Sequence, residues 1–205
     1  AILDTAVKKW DLSGIIVACN TASTVALPSL RAHINIPIIG VVPAIKPAAL
    51  KSKKKIIALL ATPGTIHREY TENLIKKYAN DCEVLKIGSA KLARIAENRL
   101  TDGHVNENEI IEILKGIKDR SQDKQPDVVV LGCTHYPFIA DIIQKILPDC
   151  LLIDSGIAIG KRVDSLFLGE TMKPVWADKI EHNAYYTGEL QNYAERFEMF
   201  KHFGF

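Results

Sequence analysis

Short apolar runs alternate along this chain with longer amphipathic stretches, and the alternation restricts the fold more than any other feature. The runs that predict β-strands lie at residues 14–18, 36–42, 56–61, 83–87, 128–131 and 151–153, with a further candidate at 184–187. The stretches that predict helices lie at about 23–32, 66–80, 91–99, 106–120 and 138–147. Strands that alternate with helices build parallel sheets covered by helices on both faces, so the sequence predicts an α/β fold.

Two of the predicted strands end in the same kind of turn. Residues 15–21 read Ile-Ile-Val-Ala-Cys-Asn-Thr, and residues 129–135 read Val-Val-Leu-Gly-Cys-Thr-His. Each has three apolar residues, a small residue, a cysteine and two polar side chains. Ligands of open parallel sheets bind at the carboxyl ends of the strands, beside the first free N–H groups of a helix. We therefore expect Cys19 and Cys133 at a substrate site, in a position that favours the thiolate.

The repeat predicts two similar units, one on each side of a break in the pattern. Pro43, Pro47 and the lysines that follow interrupt the pattern, and we place a domain crossing there. The first unit is expected at residues 1–43 plus 154–205, and the second at 44–153. The second unit opens with a strand and the loop at 62–65, long before Cys133. The first unit has no such opening before Cys19, so we expect it to lack roughly 50 residues.

Charge and cysteine usage exclude several classes of protein. Lys and Arg number 26 against 24 Asp and Glu, which leaves a formal charge of +2 and no basic stripe for nucleic acid or an anionic membrane. The apolar runs are far shorter than the roughly 20 residues that span a bilayer. The four cysteines are scattered and have no zinc-binding spacing, so we expect no metal site and a reducing, cytoplasmic location.

The two repeated cysteines allow three interpretations. Free cysteines are often core residues, which is what we expect of Cys82 and Cys150. A Cys-His hydrolase would use Cys133 with His135, but it leaves Cys19 unexplained. Two thiols that face each other across a cleft suit a reaction in which one thiolate removes a proton from a carbon and the other thiol returns one on the opposite face.

Three segments together carry a family resemblance. They are residues 17–23 (Val-Ala-Cys-Asn-Thr-Ala-Ser), 60–65 (Leu-Ala-Thr-Pro-Gly-Thr) and 130–137 (Val-Leu-Gly-Cys-Thr-His-Tyr-Pro). In this order and at this spacing, the sequence resembles glutamate racemase of the aspartate/glutamate racemase superfamily. The resemblance implies a cofactor-independent racemase with two pseudo-symmetric α/β domains and the active site in the cleft between them. Such an enzyme supplies D-glutamate for bacterial peptidoglycan.

The resemblance also assigns roles to individual residues. Cys19 and Cys133 match the two catalytic cysteines, His135 the acid/base assistant of the second cysteine, and Glu97 a glutamate near that histidine. The positions that match substrate-binding residues are Asn20, Thr21, Thr62, Thr65 and Thr134. Members of the family open with an Asp-Ser-Gly loop that this chain lacks ahead of Cys19. The same tripeptide at residues 154–156 follows a different strand, so we do not assign it that role.

Several alternatives stay open at this stage. Another racemase of the superfamily, such as one that acts on aspartate, would carry the same motifs. A non-catalytic binding protein is a second alternative, since some glutamate racemases bind and inhibit DNA gyrase, although the near-neutral charge does not favour it. Pyridoxal phosphate chemistry is disfavoured because no lysine lies beside a phosphate-binding loop. A homodimer and regulation by a cell-wall precursor are further expectations from the resemblance.

Overall fold

The computed structural model describes residues 1–167, 182–188 and 201. The strands are β1 (Ile15–Val17), β2 (Ile38–Gly40), β3 (Ile56–Ala61), β4 (Glu83–Gly88), β5 (Val128–Gly132) and β6 (Leu151–Ile153). The first helices are α1 (Ile2–Lys9), α2 (Asn20–His33), α3 (Ile45–Lys51), α4 (Pro63–Ile66) and α5 (Glu69–Tyr78). The later helices are α6 (Ala90–Thr101), α7 (Glu107–Lys118), α8 (Ala140–Ile146) and α9 (Gly156–Phe167). The fold is α/β, with parallel sheets flanked by helices.

The larger sheet has four parallel strands in the order β4-β3-β5-β6. Every residue of β5 is buried, because its run of valine and leucine is covered on both faces. One face packs against α6, α7 and α8, where Ile110, Leu114 and Ile117 form the buried stripe of α7. The other face packs against α3, through Ile45, Ala48 and Ala49 of that helix. Strand β5 is therefore enclosed by packed side chains on both faces up to the residue before Cys133.

The smaller sheet pairs β1 with β2 in parallel. Ile16 pairs with Ile39, and in the larger sheet Val130 pairs with Ile153, so the same chain spacing separates the partners in both pairs. Helix α2 packs closely on β2: a Cβ atom at Gly40 would lie 2.1 Å from Cδ1 of Leu27. The two repeated cysteine turns thus follow strands of different sheets, although the predicted domain boundaries themselves remain predictions.

Three of the differences between the structure and the sequence predictions concern whole elements rather than their exact bounds. The region around Pro47 was expected to interrupt the fold, but it forms α3. Proline fits the first turn of a helix because the N–H groups there have no partner within the helix. Helix α1 was not predicted, and it buries no residue. Residues 184–187, a candidate strand, contain no strand.

Within residues 1–167, 182–188 and 201, no helix has the length and apolar character that crossing a membrane requires.

Candidate active site

Cys19 lies where the chain leaves β1 and enters α2. It is the N-cap residue of α2, and its Sγ atom accepts the backbone N–H of Ala22 at 3.4 Å. Its side chain is exposed. Because the first N–H groups of a helix point outward and carry partial positive charge, this position can stabilise a thiolate. The Ser23 hydroxyl donates to the carbonyl of Val17 at 3.1 Å and so links the first turn of α2 to the end of β1.

Cys133 follows β5 directly and is only 8% exposed. Its Sγ lies 3.6 Å from Nδ1 of His135, within the range of a sulfur hydrogen bond. Burial raises the pKa of the Cys133 thiol, the backbone N–H groups of His135 and Tyr136 lower it, and a charge on Cys19 raises it further. The net pKa lies above the ordinary value, so this thiol is protonated at neutral pH and can act as a proton donor.

The threonines that the sequence singled out form one cluster of hydroxyl groups. Thr21 Oγ1 lies 2.8 Å from Thr62 Oγ1 and 3.0 Å from Thr65 Oγ1, and the latter two lie 3.1 Å apart. Thr71 supports the cluster from below, since its hydroxyl donates to the carbonyl of Thr65 at 2.7 Å. The cluster brings the end of β3 against the Cys19 turn, and hydroxyl groups with neighbouring N–H groups suit a carboxylate.

A second contact joins the two cysteine turns directly. The Thr134 hydroxyl donates to the carbonyl of Ala18, the residue before Cys19, at 3.3 Å. Thr134, Cys133 and Asn20 line a cavity of about 360 Å³ between the two sheets. The side-chain oxygen of Asn20 is buried, and within the part of the chain that the structure describes no hydrogen-bond donor reaches it. A ligand with an ammonium group would supply that donor.

The cavity is also lined by the Asp-Ser-Gly tripeptide, to which the sequence assigned no role. Asp154, Ser155 and Gly156 form part of its wall. Ser155 donates to the carbonyl of Val42 at 2.6 Å. This hydrogen bond joins the segment between β2 and α3 to the segment between β6 and α9. Asp154 accepts the N–H of Gly156 at 2.6 Å at the start of α9. The Asp-Ser-Gly tripeptide at residues 154–156 therefore contributes to the shape of the cavity.

Glu97 is the predicted residue that the structure does not bring to the cysteines. It lies on an exposed part of α6, and among the described side chains it contacts neither His135 nor a cysteine by a hydrogen bond or ion pair. Its assignment stays a prediction. The described ranges also contain no group of three or more His, Cys, Asp or Glu residues that could hold a metal ion.

Tyr136 is the residue near the thiols that sequence reasoning missed. Its side chain is fully buried, and its hydroxyl donates to the carbonyl of Ser89 at 2.8 Å. Ser89 in turn caps α6, where its Oγ accepts the N–H of Leu92. The serine three residues before a buried leucine is a sequence signal for a helix start, but nothing in the sequence pairs it with Tyr136.

The chain matches known proteins over most of its length. The model of the Asp/Glu/hydantoin racemase family matches residues 1–162. A glutamate racemase of Shewanella oneidensis is 45% identical over 187 residues, which cover 91% of this chain and 64% of that protein. The structure of Escherichia coli glutamate racemase in complex with L-glutamate and the activator UDP-MurNAc-ala has a TM-score of 0.77 at 43% identity, over 83% of this chain and 64% of that one.

A more distant structure, isoform RacE1 of glutamate racemase from Bacillus anthracis, has a TM-score of 0.68 at 28% identity, over 82% of this chain and 63% of that one. The chain thus spans a little less than two thirds of the length of these relatives. Since the family model covers most of the chain and both cysteine turns lie within the match, the chain belongs to the Asp/Glu/hydantoin racemase family.

Proposed function

We propose that this chain carries the two-thiol site of a glutamate racemase, which interconverts L-glutamate and D-glutamate without a cofactor. One observation supports the proposal above the others: two cysteine turns from different sheets are held against each other by the Thr134–Ala18 hydrogen bond. A reaction that moves a proton from one face of a carbon to the other needs one acid/base group on each side.

The mechanism follows from the different surroundings of the thiols. Cys19, at the N-terminus of α2, is placed to act as the thiolate that removes the α-proton. Cys133, which is protonated at rest, delivers a proton to the opposite face of the planar carbanion. In the other direction Cys133 must lose its proton first, and His135, at 3.6 Å, is placed to accept it.

Substrate binding is assigned to the neutral polar groups around the thiols. The Thr21, Thr62 and Thr65 hydroxyls are proposed to hold a carboxylate, because they already converge within hydrogen-bond distance. The buried oxygen of Asn20 is proposed to accept an N–H of the substrate ammonium group, and Thr134 contributes its hydroxyl nearby. Glu97 is retained as a proposed assistant of His135.

The proposed cellular role rests on the family resemblance. D-Glutamate for bacterial peptidoglycan, a cytoplasmic location and a homodimer are part of the proposal. Regulation by a cell-wall precursor is supported by the E. coli relative, which was solved with the activator UDP-MurNAc-ala. Glutamate is preferred over aspartate as substrate because the relatives that match at 43–48% identity are glutamate racemases.

The test replaces each cysteine by serine in this chain and measures racemisation together with exchange of the α-hydrogen in deuterated water. Each variant is expected to lose about a hundredfold to ten-thousandfold in rate, the contribution of a positioned acid/base group. Cys82→Ser is the matched control, because Cys82 is partly exposed and lies at the opposite end of the larger sheet, before β4.

A substrate analogue with a β-leaving group separates the two thiols. Elimination needs only one base, so Cys19→Ser and Cys133→Ser should each act on a single enantiomer, and on opposite ones. Equal preference in both variants, or full racemisation without one cysteine, would contradict the proposal. Faster turnover of aspartate than of glutamate would retain the mechanism and replace the substrate.

A further inference from the structure

Tyr136 connects the Cys133 turn, which follows β5, with Ser89 at the start of α6. Its backbone belongs to the Cys133 turn, and its N–H donates to the carbonyl of Cys133 at 3.1 Å. Its side chain reaches away from the turn to Ser89, where the hydroxyl donates to the backbone carbonyl at 2.8 Å. Both ends of this contact are buried, so water does not compete with it.

Ser89 connects this contact to the threonine cluster. Its own N–H donates to the carbonyl of Ala61 at 2.9 Å, and Ala61 immediately precedes Thr62. Through its N–H and its carbonyl, Ser89 therefore connects the end of β3, next to Thr62, with Tyr136 and the Cys133 turn. The N-cap bond from Leu92 to Ser89 Oγ fixes this link to α6.

We propose that Tyr136 is a positioning residue, whose hydroxyl sets the distance between the Cys133 thiol and the hydroxyl groups that hold substrate. This inference rests on the proposed role of Cys133. The hydroxyl is a permanent donor, since burial and the nearby Cys133 raise the pKa of Tyr136 well above its usual range. The same residue also places its N–H where it lowers the pKa of Cys133.

Tyr136→Phe removes the hydroxyl and keeps the ring that fills the core. Racemisation should slow by about tenfold to a hundredfold in kcat, because a reacting group displaced by a fraction of an ångström loses that much. KM should stay within about twofold, since the threonine cluster and Asn20 lie outside the Cys133 turn and remain in place.

The half-reactions distinguish positioning from a general loss of stability. In the Cys19→Ser background, elimination depends on Cys133, and Tyr136→Phe should slow it by the same factor as kcat. In the Cys133→Ser background, elimination depends on Cys19, and Tyr136→Phe should leave it unchanged. Equal slowing of both half-reactions, or of neither, would overturn the inference. Full racemisation by the single cysteine variants would instead overturn the proposed function.

Thiol alkylation provides a readout that needs no turnover. Cys133 is buried as long as its turn keeps its position. Tyr136→Phe should therefore raise the rate at which Cys133 reacts with iodoacetamide, relative to Cys19 in the same molecule. The expected increase is about fivefold, which corresponds to the loss of one buried hydrogen bond. Peptide mass spectrometry measures both rates. An unchanged ratio would contradict the proposed positioning role of the Tyr136 hydroxyl.

Two control variants complete the experiment. Ser89→Ala removes the N-cap of α6 but keeps the carbonyl that accepts from Tyr136, so it should reduce stability without changing the alkylation ratio. Tyr78→Phe removes a tyrosine hydroxyl on the other face of the sheet and should change neither quantity. A change of the alkylation ratio in Ser89→Ala equal to that in Tyr136→Phe would assign the effect to the helix cap and overturn the role of the hydroxyl.

Discussion

The turns that carry Cys19 and Cys133 share a sequence pattern but differ in what surrounds them. Strand β5 lies between β3 and β6, and all of its residues are buried. Strand β1 pairs, among the described residues, with β2 alone, and its middle residue Ile16 is 48% exposed. Among the described residues, the same local motif thus lies in a four-stranded sheet at one place and in a two-stranded sheet at the other.

This difference shows which properties of the site come from local sequence and which from packing. The strand, the small residue and the helix start recur in both turns, so the local motif specifies where each thiol lies on its own element. The exposure and the proton affinity of each thiol depend on the residues that pack around its turn. Burial by the surrounding sheet raises the pKa of Cys133, whereas the Cys19 side chain is open to solvent.

The largest expected effect tests the difference in stability between the sheets. Leu59 in β3 is fully buried, and Leu59→Ala should lower the free energy of unfolding by about 2–5 kcal/mol because it leaves a cavity. Ile16→Ala in β1 should lower it by about 1 kcal/mol or less, since half of that side chain is already exposed. Urea denaturation of both variants measures the two values. Similar losses would mean that the two strands are equally well packed.

The next effect concerns the small residue before each cysteine. A Cβ atom at Gly132 would lie 2.9 Å from the carbonyl oxygen of Leu60 and 3.1 Å from Cβ of Ala61, so Gly132→Ala should cost about 1–3 kcal/mol by forcing β3 and β5 apart. The reverse change in the other turn, Ala18→Gly, should cost about 0.5–1 kcal/mol through backbone entropy alone. Thermal unfolding of the pair checks the contrast, which disappears if the sheet around Gly132 yields without cost.

Much of the fold follows from periodicity alone. Strands β3 and β6 have the predicted bounds, and helices α6 and α7 differ from the prediction by one or two residues at each end. Helix α2 begins at Asn20 rather than at Ser23, because Cys19 itself caps it. Thiols are not among the usual capping side chains, so the sequence pattern placed the start one turn too late.

Contacts between distant parts of the chain explain what the sequence could not predict. Thr21 meets Thr62 across 41 positions, and Thr134 meets Ala18 across 116. The resemblance named these residues, but the way they hold the turns together depends on the packing of two sheets. Helix α3 was not predicted because it contains Pro47. A proline predicts the end of a helix unless it is known to lie in the first turn.

The smallest expected effect lies at the amino end of the same strands. Asp127 precedes β5, where its carboxylate accepts the hydroxyl of Ser52 at 2.6 Å and the N–H groups of Lys53 and Lys54 at 2.6 and 3.0 Å. Gly14, which precedes β1, has no side chain to do the same. Partial burial alone would raise the pKa of Asp127. The hydrogen bonds from Ser52 and the two backbone N–H groups outweigh this effect, so the net pKa is below the usual value.

A carboxyl with a lowered pKa stabilises the folded state above the pKa of the unfolded chain, and this contribution is lost as the pH falls through the folded pKa. Asp127→Asn should therefore cost about 1 kcal/mol near neutral pH, a value reduced from that of buried charged hydrogen bonds by exposure to solvent. The difference from the original protein should shrink as the pH falls from about 4 toward 2. Urea denaturation at several pH values measures it, with Asp149→Asn as the control, because Asp149 is exposed and accepts no hydrogen bond from the described side chains. A difference that stays constant with pH would show that the Asp127 charge is not what holds the start of β5 in place.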